Sequence, residues 1–177
     1  ILVGIGTILK DNPSLTTRLI DQRGEDSTRV ILDVRLEIPL DAKIINQEST
    51  ASTIIVTGEK CDKGKKQLLL EKEQVEILTI PVNDEGRIPL DTLLKILHGR
   101  CISSILVEGG ARVNYSFLKE GLVDKIYAFI APKILGANDG ISVYTGEGPE
   151  KMNQVKVLRD VQYQILDDNI LMIAELE

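Results

Sequence analysis

Hydrophobic positions fall along the chain in short β-branched blocks separated by polar stretches with helical spacing. Ile1 to Gly6 reads as a buried strand, and Arg29 to Asp33, an Arg-Val-Ile-Leu-Asp run, reads as a second. Thr53 to Thr57 makes a third strand that Gly58 closes, and Val75 to Ile80 a fourth that Pro81 stops. Between these last two, the charges and leucines of Cys61 to Leu70 suit a helix. Asp91 stands where an N-cap belongs, Leu93, Leu94 and Leu97 form an apolar stripe, and Gly99 falls at the C′ position, so a second helix is predicted there. Ile102 to Glu108 is a further strand ending in Gly109-Gly110, followed by a helical pattern from Arg112 to Glu120 that Gly121 closes.

The last third changes character. Ile126 to Ala131, Tyr163 to Leu166 and Ile170 to Glu175 are strands without intervening helices, and Asp167-Asp168-Asn169 reads as a hairpin turn. The pattern predicts an α/β fold: a mixed, mainly parallel sheet flanked by helices, with antiparallel strands added to its edge and a C-terminal hairpin. No repeat, low-complexity segment or linker interrupts it, so residues 1–177 read as a single domain.

Composition narrows the function classes. The 27 acidic residues outnumber 21 basic ones for a net charge of −6, and aromatic residues make up only 3% with no Trp. A nucleic-acid binder would want a basic stripe or stacking rings, so no nucleic-acid partner is expected. The longest apolar runs, such as Ile102 to Val107 and Ile126 to Ile130, fall far short of the roughly 20 residues of a spanning helix, so no membrane partner is expected either. Cys61 and Cys101 stand far apart beside no metal-like partner, which fits free thiols in a reducing cytoplasm and no metal site.

The strongest chemical signal is Leu106-Val107-Glu108-Gly109-Gly110-Ala111-Arg112-Val113-Asn114, a strand, a glycine pair and a helix start. It reads either as a ligand cradle or as a tight turn that merely uses glycine. In the first reading the glycines admit a close ligand, and the helix offers unpaired N–H groups and a positive dipole end to a phosphate. Glu108 ends an apolar run and must reach solvent or find donors, a need that a ligand with adjacent N–H groups would meet. A second signal is Gly4-Ile5-Gly6-Thr7 followed by Asp11-Asn12-Pro13. It is no dinucleotide fingerprint, because Leu9 holds the third glycine position and no helix is expected to begin before Asp11-Asn12-Pro13. It reads instead as a strand whose glycines admit a flat ligand, running into a polar loop that is either an Asx-type turn or part of a site. His98 has no relay partner, Ser103, Ser104 and Ser116 lack a nucleophile elbow, and Lys63 to Lys66 reads as a solvated helix face. Arg35 and Lys60 follow strand ends, where each reads as surface charge or as a partner for an anionic group.

Taken together and in order, these motifs resemble the reductase domain of riboflavin biosynthesis, the C-terminal half of a bifunctional deaminase-reductase family. The residues that carry the resemblance begin with Gly4-Ile5-Gly6-Thr7, Asp11-Asn12-Pro13, Leu15-Thr16 and Arg18. They continue with Arg29-Val30-Ile31-Leu32-Asp33, Ile38-Pro39, Ile105 to Gly110, Asn114, and Ile130-Ala131-Pro132-Lys133-Ile134-Leu135-Gly136. The resemblance implies a dihydrofolate-reductase-like fold, a homodimer, and NADPH as cofactor. It implies reduction of the ribosyl group of 5-amino-6-(5-phosphoribosylamino)uracil; stand-alone archaeal and fungal relatives act on the diaminopyrimidinone before deamination. Hydride would reach C1′ as O4′ is protonated.

By the same resemblance, Thr7 and Asp11 lie against the cofactor, Leu15, Arg18 and Glu108 bind substrate, and Gly110, Ala111, Arg112, Val113, Asn114, Tyr115 and Ser116 wrap the cofactor phosphates. Asp11 is the candidate for placing a proton, with water the alternative. Val34 stands where the family often has a hydroxyl residue, so that cofactor contact is either missing or made by backbone, with Arg35 beside it as a partner for the 2′-phosphate. The family's first strand and helix precede the strand that opens at Ile1, so the chain is expected to lack them, and by the same resemblance a bacterial protein of this kind would carry a fused N-terminal zinc deaminase domain. Two rival readings are reduction of another flat heterocycle such as a dihydropterin, and a nucleotide-binding module without catalysis.

Overall fold

The apolar blocks become strands of two separate sheets. The computed structural model describes residues 1–19, 24–134, 136 and 140–176. These fall into two units, Ile1–Val113 and Asn114–Glu177.

In the first unit, β1 (Leu2–Gly4), β2 (Arg29–Leu32), β3 (Thr53–Thr57), β4 (Val75–Thr79) and β5 (Val107–Gly109) form one sheet in the order β4-β3-β2-β1-β5. All its pairings are parallel. Val3, Ile31 and Ile55 stand side by side in register and are fully buried. With Ile8, Leu36, Ile38, Ile44 and Leu69 they make the core, each side chain contributing on the order of 1.5–3 kcal/mol by leaving water.

Residues 5–11 correct the sequence reading. The strand predicted from Ile1 to Gly6 stops at Gly4, and Ile5–Asp11 is helix α1. Ile5 and Ile8 lie three positions apart, a helical spacing that packs both against the core. Asn12 ends the helix in a left-handed conformation (φ 43°), its N–H bonded to the Ile8 carbonyl at 3.0 Å, and Pro13 cannot continue it. The proline thus follows the end of a helix where a strand running into a polar loop was expected.

Helix α2 (Lys63–Leu70) starts where Asp62 accepts the Lys65 N–H at 2.9 Å. Helix α3 (Leu90–Gly99) has Pro89 at its N-cap, two residues before the expected Asp91; Asp91 sits in its first turn and pairs with Lys95 at 2.6 Å. Gly99 is the last helical residue, and the left-handed position expected there falls on Cys101 (φ 63°). Strand β5 is shorter than the predicted Ile102 to Glu108, because the Ile102 N–H still bonds back to the Leu97 carbonyl at 3.1 Å, and Leu106 is the first residue to reach β1, through Leu2 N–H at 2.8 Å. Helix α4 (Ala111–Lys119) follows at once, with Gly121 (φ 68°) closing its end.

The second unit carries β6 (Lys125–Ile130), β7 (Leu158–Leu166) and β8 (Asn169–Leu176), an antiparallel sheet in the order β6-β8-β7. It is a sheet of its own and does not extend the edge of the parallel one. The three-residue β5 offers few free groups for a partner, whereas the long β7–β8 hairpin satisfies its own backbone. Asp167-Asp168 makes the turn, with Asp167 at φ 52°. Cys61 and Cys101 are free thiols, and no helix among the described residues is long and apolar enough to cross a membrane.

Candidate functional site

From β1 the chain builds the sheet outward through β2 and β3 to β4, then returns to place β5 on the other side of β1. The carboxyl ends of β1 and β5 therefore flank the point where strand order reverses, the usual ligand crevice of an open parallel sheet. Four pieces of backbone converge there. A Cβ built on Gly4 would lie 2.8 Å from Cγ2 of Val113, so only glycine lets the first turn of α4 approach the end of β1. A Cβ on Gly109 would lie 2.8 Å from Oγ1 of Thr7, so the Thr7 hydroxyl rests against the glycine turn. Gly110 has φ 85°, a conformation that favours glycine.

The N–H groups of the first turn of α4, which opens at Ala111, point out of the helix end as at the start of any α-helix. They present a positive helix end beside the half-buried Gly110. This donor set fits a phosphate. Thr7 is half-buried and Asp11 exposed, and their spacing of four puts both on one face of α1. Asp11 stands at the negative end of that helix, where a carboxylate costs about 0.3–1 kcal/mol, so helix stability does not explain its place. Glu108 is exposed at the strand end, reaching solvent as one of its two sequence readings required.

The remaining predicted residues lie elsewhere. Leu15 and Arg18 sit beyond the far end of α1, which is about 10 Å long at about 1.5 Å per residue. Leu15 holds a left-handed conformation (φ 51°), costing roughly 1–2 kcal/mol, and packs half-buried against the core. Arg18 is exposed and makes no ion pair among the described residues. At the end of β2, the Val34 carbonyl accepts from Thr57 Oγ1 at 3.0 Å and from Gly58 N–H at 2.9 Å, so it is already engaged within the fold. Arg35 is exposed and pairs with Glu37 at 3.1 Å.

Asp33, ahead of them, is fully buried and accepts the N–H groups of Glu37 and Ile38 at 2.8 Å each. Burial pushes its pKa above the ordinary carboxylate value, and the two donors pull it back only in part.

Asn114, Tyr115 and Ser116 continue α4 in the second unit. Asn114 Nδ2 donates to the Val143 carbonyl at 3.1 Å, and Tyr115 Oη donates to the Glu147 carbonyl. Of the segment 130–136, Leu135 lies outside the described residues. Sequence reasoning missed the part played by Gly4 and the anchoring part of Asn12, whose Oδ1 accepts the Lys43 N–H at 2.9 Å. An Asn before a proline was the available signal for the second.

A family model described as the RibD C-terminal domain matches residues 1–171. The riboflavin biosynthesis protein RibD of Bacillus amyloliquefaciens is 36% identical over 174 residues, covering 98% of this chain and 45% of that protein. The 2,5-diamino-6-ribosylamino-4(3H)-pyrimidinone 5′-phosphate reductase of Methanothermobacter thermautotrophicus is 35% identical over 153 residues, 86% of this chain and 68% of that one. Among solved structures, RibD of Acinetobacter baumannii superposes with a TM-score of 0.75 at 26% identity, over 99% of this chain and 46% of that one. The chain thus spans less than half the length of the RibD relatives it matches.

Proposed function

Because the chain belongs to the RibD C-terminal domain family, we propose that residues 1–177 form one reductase domain of riboflavin biosynthesis. It reduces the ribosyl group of 5-amino-6-(5-phosphoribosylamino)uracil to the ribityl product with NADPH. The observation that carries the reading is the convergence of Thr7, the Glu108-Gly109-Gly110 turn and the first turn of α4 at the point of strand reversal. Reduced nicotinamide, when bound, supplies the hydride. The backbone of the first turn of α4 would hold its phosphates, Asn114, Tyr115 and Ser116 on the same helix would contact the cofactor as well, and Arg35 would take the 2′-phosphate. Thr7 and Asp11 would contact the cofactor from α1.

In the substrate, one hydride adds at C1′ and one proton at O4′ as the C1′–O4′ bond opens. Asp11, or a water it orients, places that proton. Glu108 accepts from the pyrimidine N–H groups, and Arg18 forks onto the substrate phosphate. Holding both partners in line is the larger part of the protein's contribution.

Relatives named as the pyrimidinone phosphate reductase, 35% and 37% identical, favour a second substrate, the diaminopyrimidinone that has not yet been deaminated. Fusion to an N-terminal deaminase domain accords with the partial coverage of RibD relatives, and a cytoplasmic location with the free thiols. A homodimer would cover the apolar face that the β6-β8-β7 sheet leaves in water.

Loss of reduced-nicotinamide absorbance in the full-length protein is expected with one of the two pyrimidines; turnover with neither rejects the reading. Binding of NADPH without any turnover would leave the non-catalytic module as the account. Arg18→Ala should raise KM about tenfold or more for the phosphorylated substrate, and Glu108→Gln should spare NADPH affinity while cutting kcat. Equal loss of both with the glutamine would show that Glu108 does not face the pyrimidine.

A further inference from the structure

Arg29 opens β2, yet its side chain is fully buried. Its Nε donates to Thr53 Oγ1 at 2.9 Å, Nη1 to Ser49 Oγ at 3.0 Å, and Nη2 to the Ala51 carbonyl. Ser49 Oγ in turn donates to Asp26 Oδ2 at 2.7 Å, and that oxygen lies 3.9 Å from Arg29 Nη1. The other Asp26 oxygen accepts the backbone N–H of Thr17 at 2.8 Å. Thr17 immediately precedes Arg18. A rigid, buried cation is thus connected through a hydroxyl and a carboxylate to the backbone that carries an exposed arginine.

Three further contacts fasten the same loop. Thr17 Oγ1 donates to the Glu25 carbonyl at 2.7 Å, and Gln47 Nε2 donates to the Ser14 carbonyl at 2.7 Å. A Cβ built on Gly24 would fall 2.4 Å from Cγ2 of Thr17, so only glycine admits this approach of residue 24 to Thr17. Between these ties Leu15 is held in its left-handed conformation. The fold spends a buried charge and several polar side chains on a loop with little core of its own. A buried ion pair is a weak source of net stability but a strong source of defined geometry.

The geometry points to Asp26 as a positioning residue: through Thr17 it sets the direction of Arg18, and Arg29 with Ser49 fixes Asp26. This rests on the reading of Arg18 as the substrate-phosphate contact. Asp26 touches no substrate, so its effect is confined to the binding that Arg18 provides. A flexible Arg18 would recover the ion pair only after losing the freedom of the loop, which weakens ground-state and transition-state binding alike.

The test is steady-state kinetics of the full-length protein carrying Asp26→Asn, Arg18→Ala, or both. Asp26→Asn is expected to raise KM for the phosphorylated pyrimidine about fivefold to tenfold, with kcat and NADPH affinity nearly unchanged. In the Arg18→Ala background, Asp26→Asn should add almost nothing, because the two act as a unit. If Arg18→Ala raises KM and Asp26→Asn does not, the positioning role is wrong while the phosphate reading stands. If Arg18→Ala leaves KM unchanged, the phosphate reading itself has failed. Independent, additive effects, or parallel losses of kcat and NADPH affinity, would mark Asp26 as merely structural. Should Asp26→Asn fail to fold, Ser49→Ala, which removes one tie and keeps the carboxylate, must show the same KM-only pattern on a smaller scale.

Discussion

The two sheets treat the same kind of side chain in opposite ways. Every residue of β3 in the parallel sheet is buried, whereas Arg159 to Leu166 of β7 are all exposed. On the antiparallel sheet, Ala128, Ile130, Tyr163, Ile165, Ile170 and Met172 share one face by cross-strand register, and Ile165 is 82% exposed. Parallel strands joined by helical crossovers are covered on both faces by the connections themselves. A hairpin has no such covering of its own. The first unit buries the side chains of its central strands; the second leaves apolar side chains of its hairpin exposed.

The sharpest way to break this comparison is to remove equivalent side chains from the two sheets. Ile55→Ala should destabilise the folded protein by about 2–5 kcal/mol in urea unfolding, with lost transfer energy and a cavity both counting. Ile165→Ala should change protomer stability by less than about 0.5 kcal/mol. If the two losses are similar, the exposed face is covered in solution. Gly110→Ala comes next: an alanine forced to φ 85° should cost about 1–2 kcal/mol of stability and weaken NADPH binding, read by nucleotide titration. Unchanged affinity would reduce the glycine turn to a plain connection.

A pH effect separates the units more finely. Burial raises the folded-state pKa of Asp33, so the folded protein holds that proton more tightly than the unfolded chain does. The resulting stabilisation is complete below the unfolded value near 3.8 and is lost as pH rises from there through the raised folded value. Asp33→Asn should flatten this part of the stability profile, measured as unfolding free energy from about pH 3.5 upward. A wild-type curve that instead rises across the window would mean that the Glu37 and Ile38 N–H groups outweigh burial.

The order of the elements and the glycine pair were legible in the chain, because continuous runs such as Thr53 to Thr57 and a Gly-Gly before a helical stripe are local signals. Helix α1 was not. Its seven residues read equally as the end of a strand, and only packing of Ile5 and Ile8 against the core separates the two. The candidate site was legible as residue types, with Thr7, Glu108 and Gly110 all singled out. The contact of Thr7 with Gly109 joins positions about a hundred apart, and no local pattern encodes it.

By itself the sequence determined which segments are apolar enough to be buried, where turns need glycine, and which ordered motifs tie the chain to its family. Those are properties of neighbours along the backbone. The tertiary structure alone decided that β1 lies between β2 and β5, that the hairpin makes a sheet of its own, and that a buried arginine fastens the Arg18 loop. Strand order, sheet membership and buried polar networks depend on which distant groups meet when water is excluded. A hydrogen bond such as that from Arg29 Nε to Thr53 Oγ1 gains its weight only there, where neither partner has solvent to turn to.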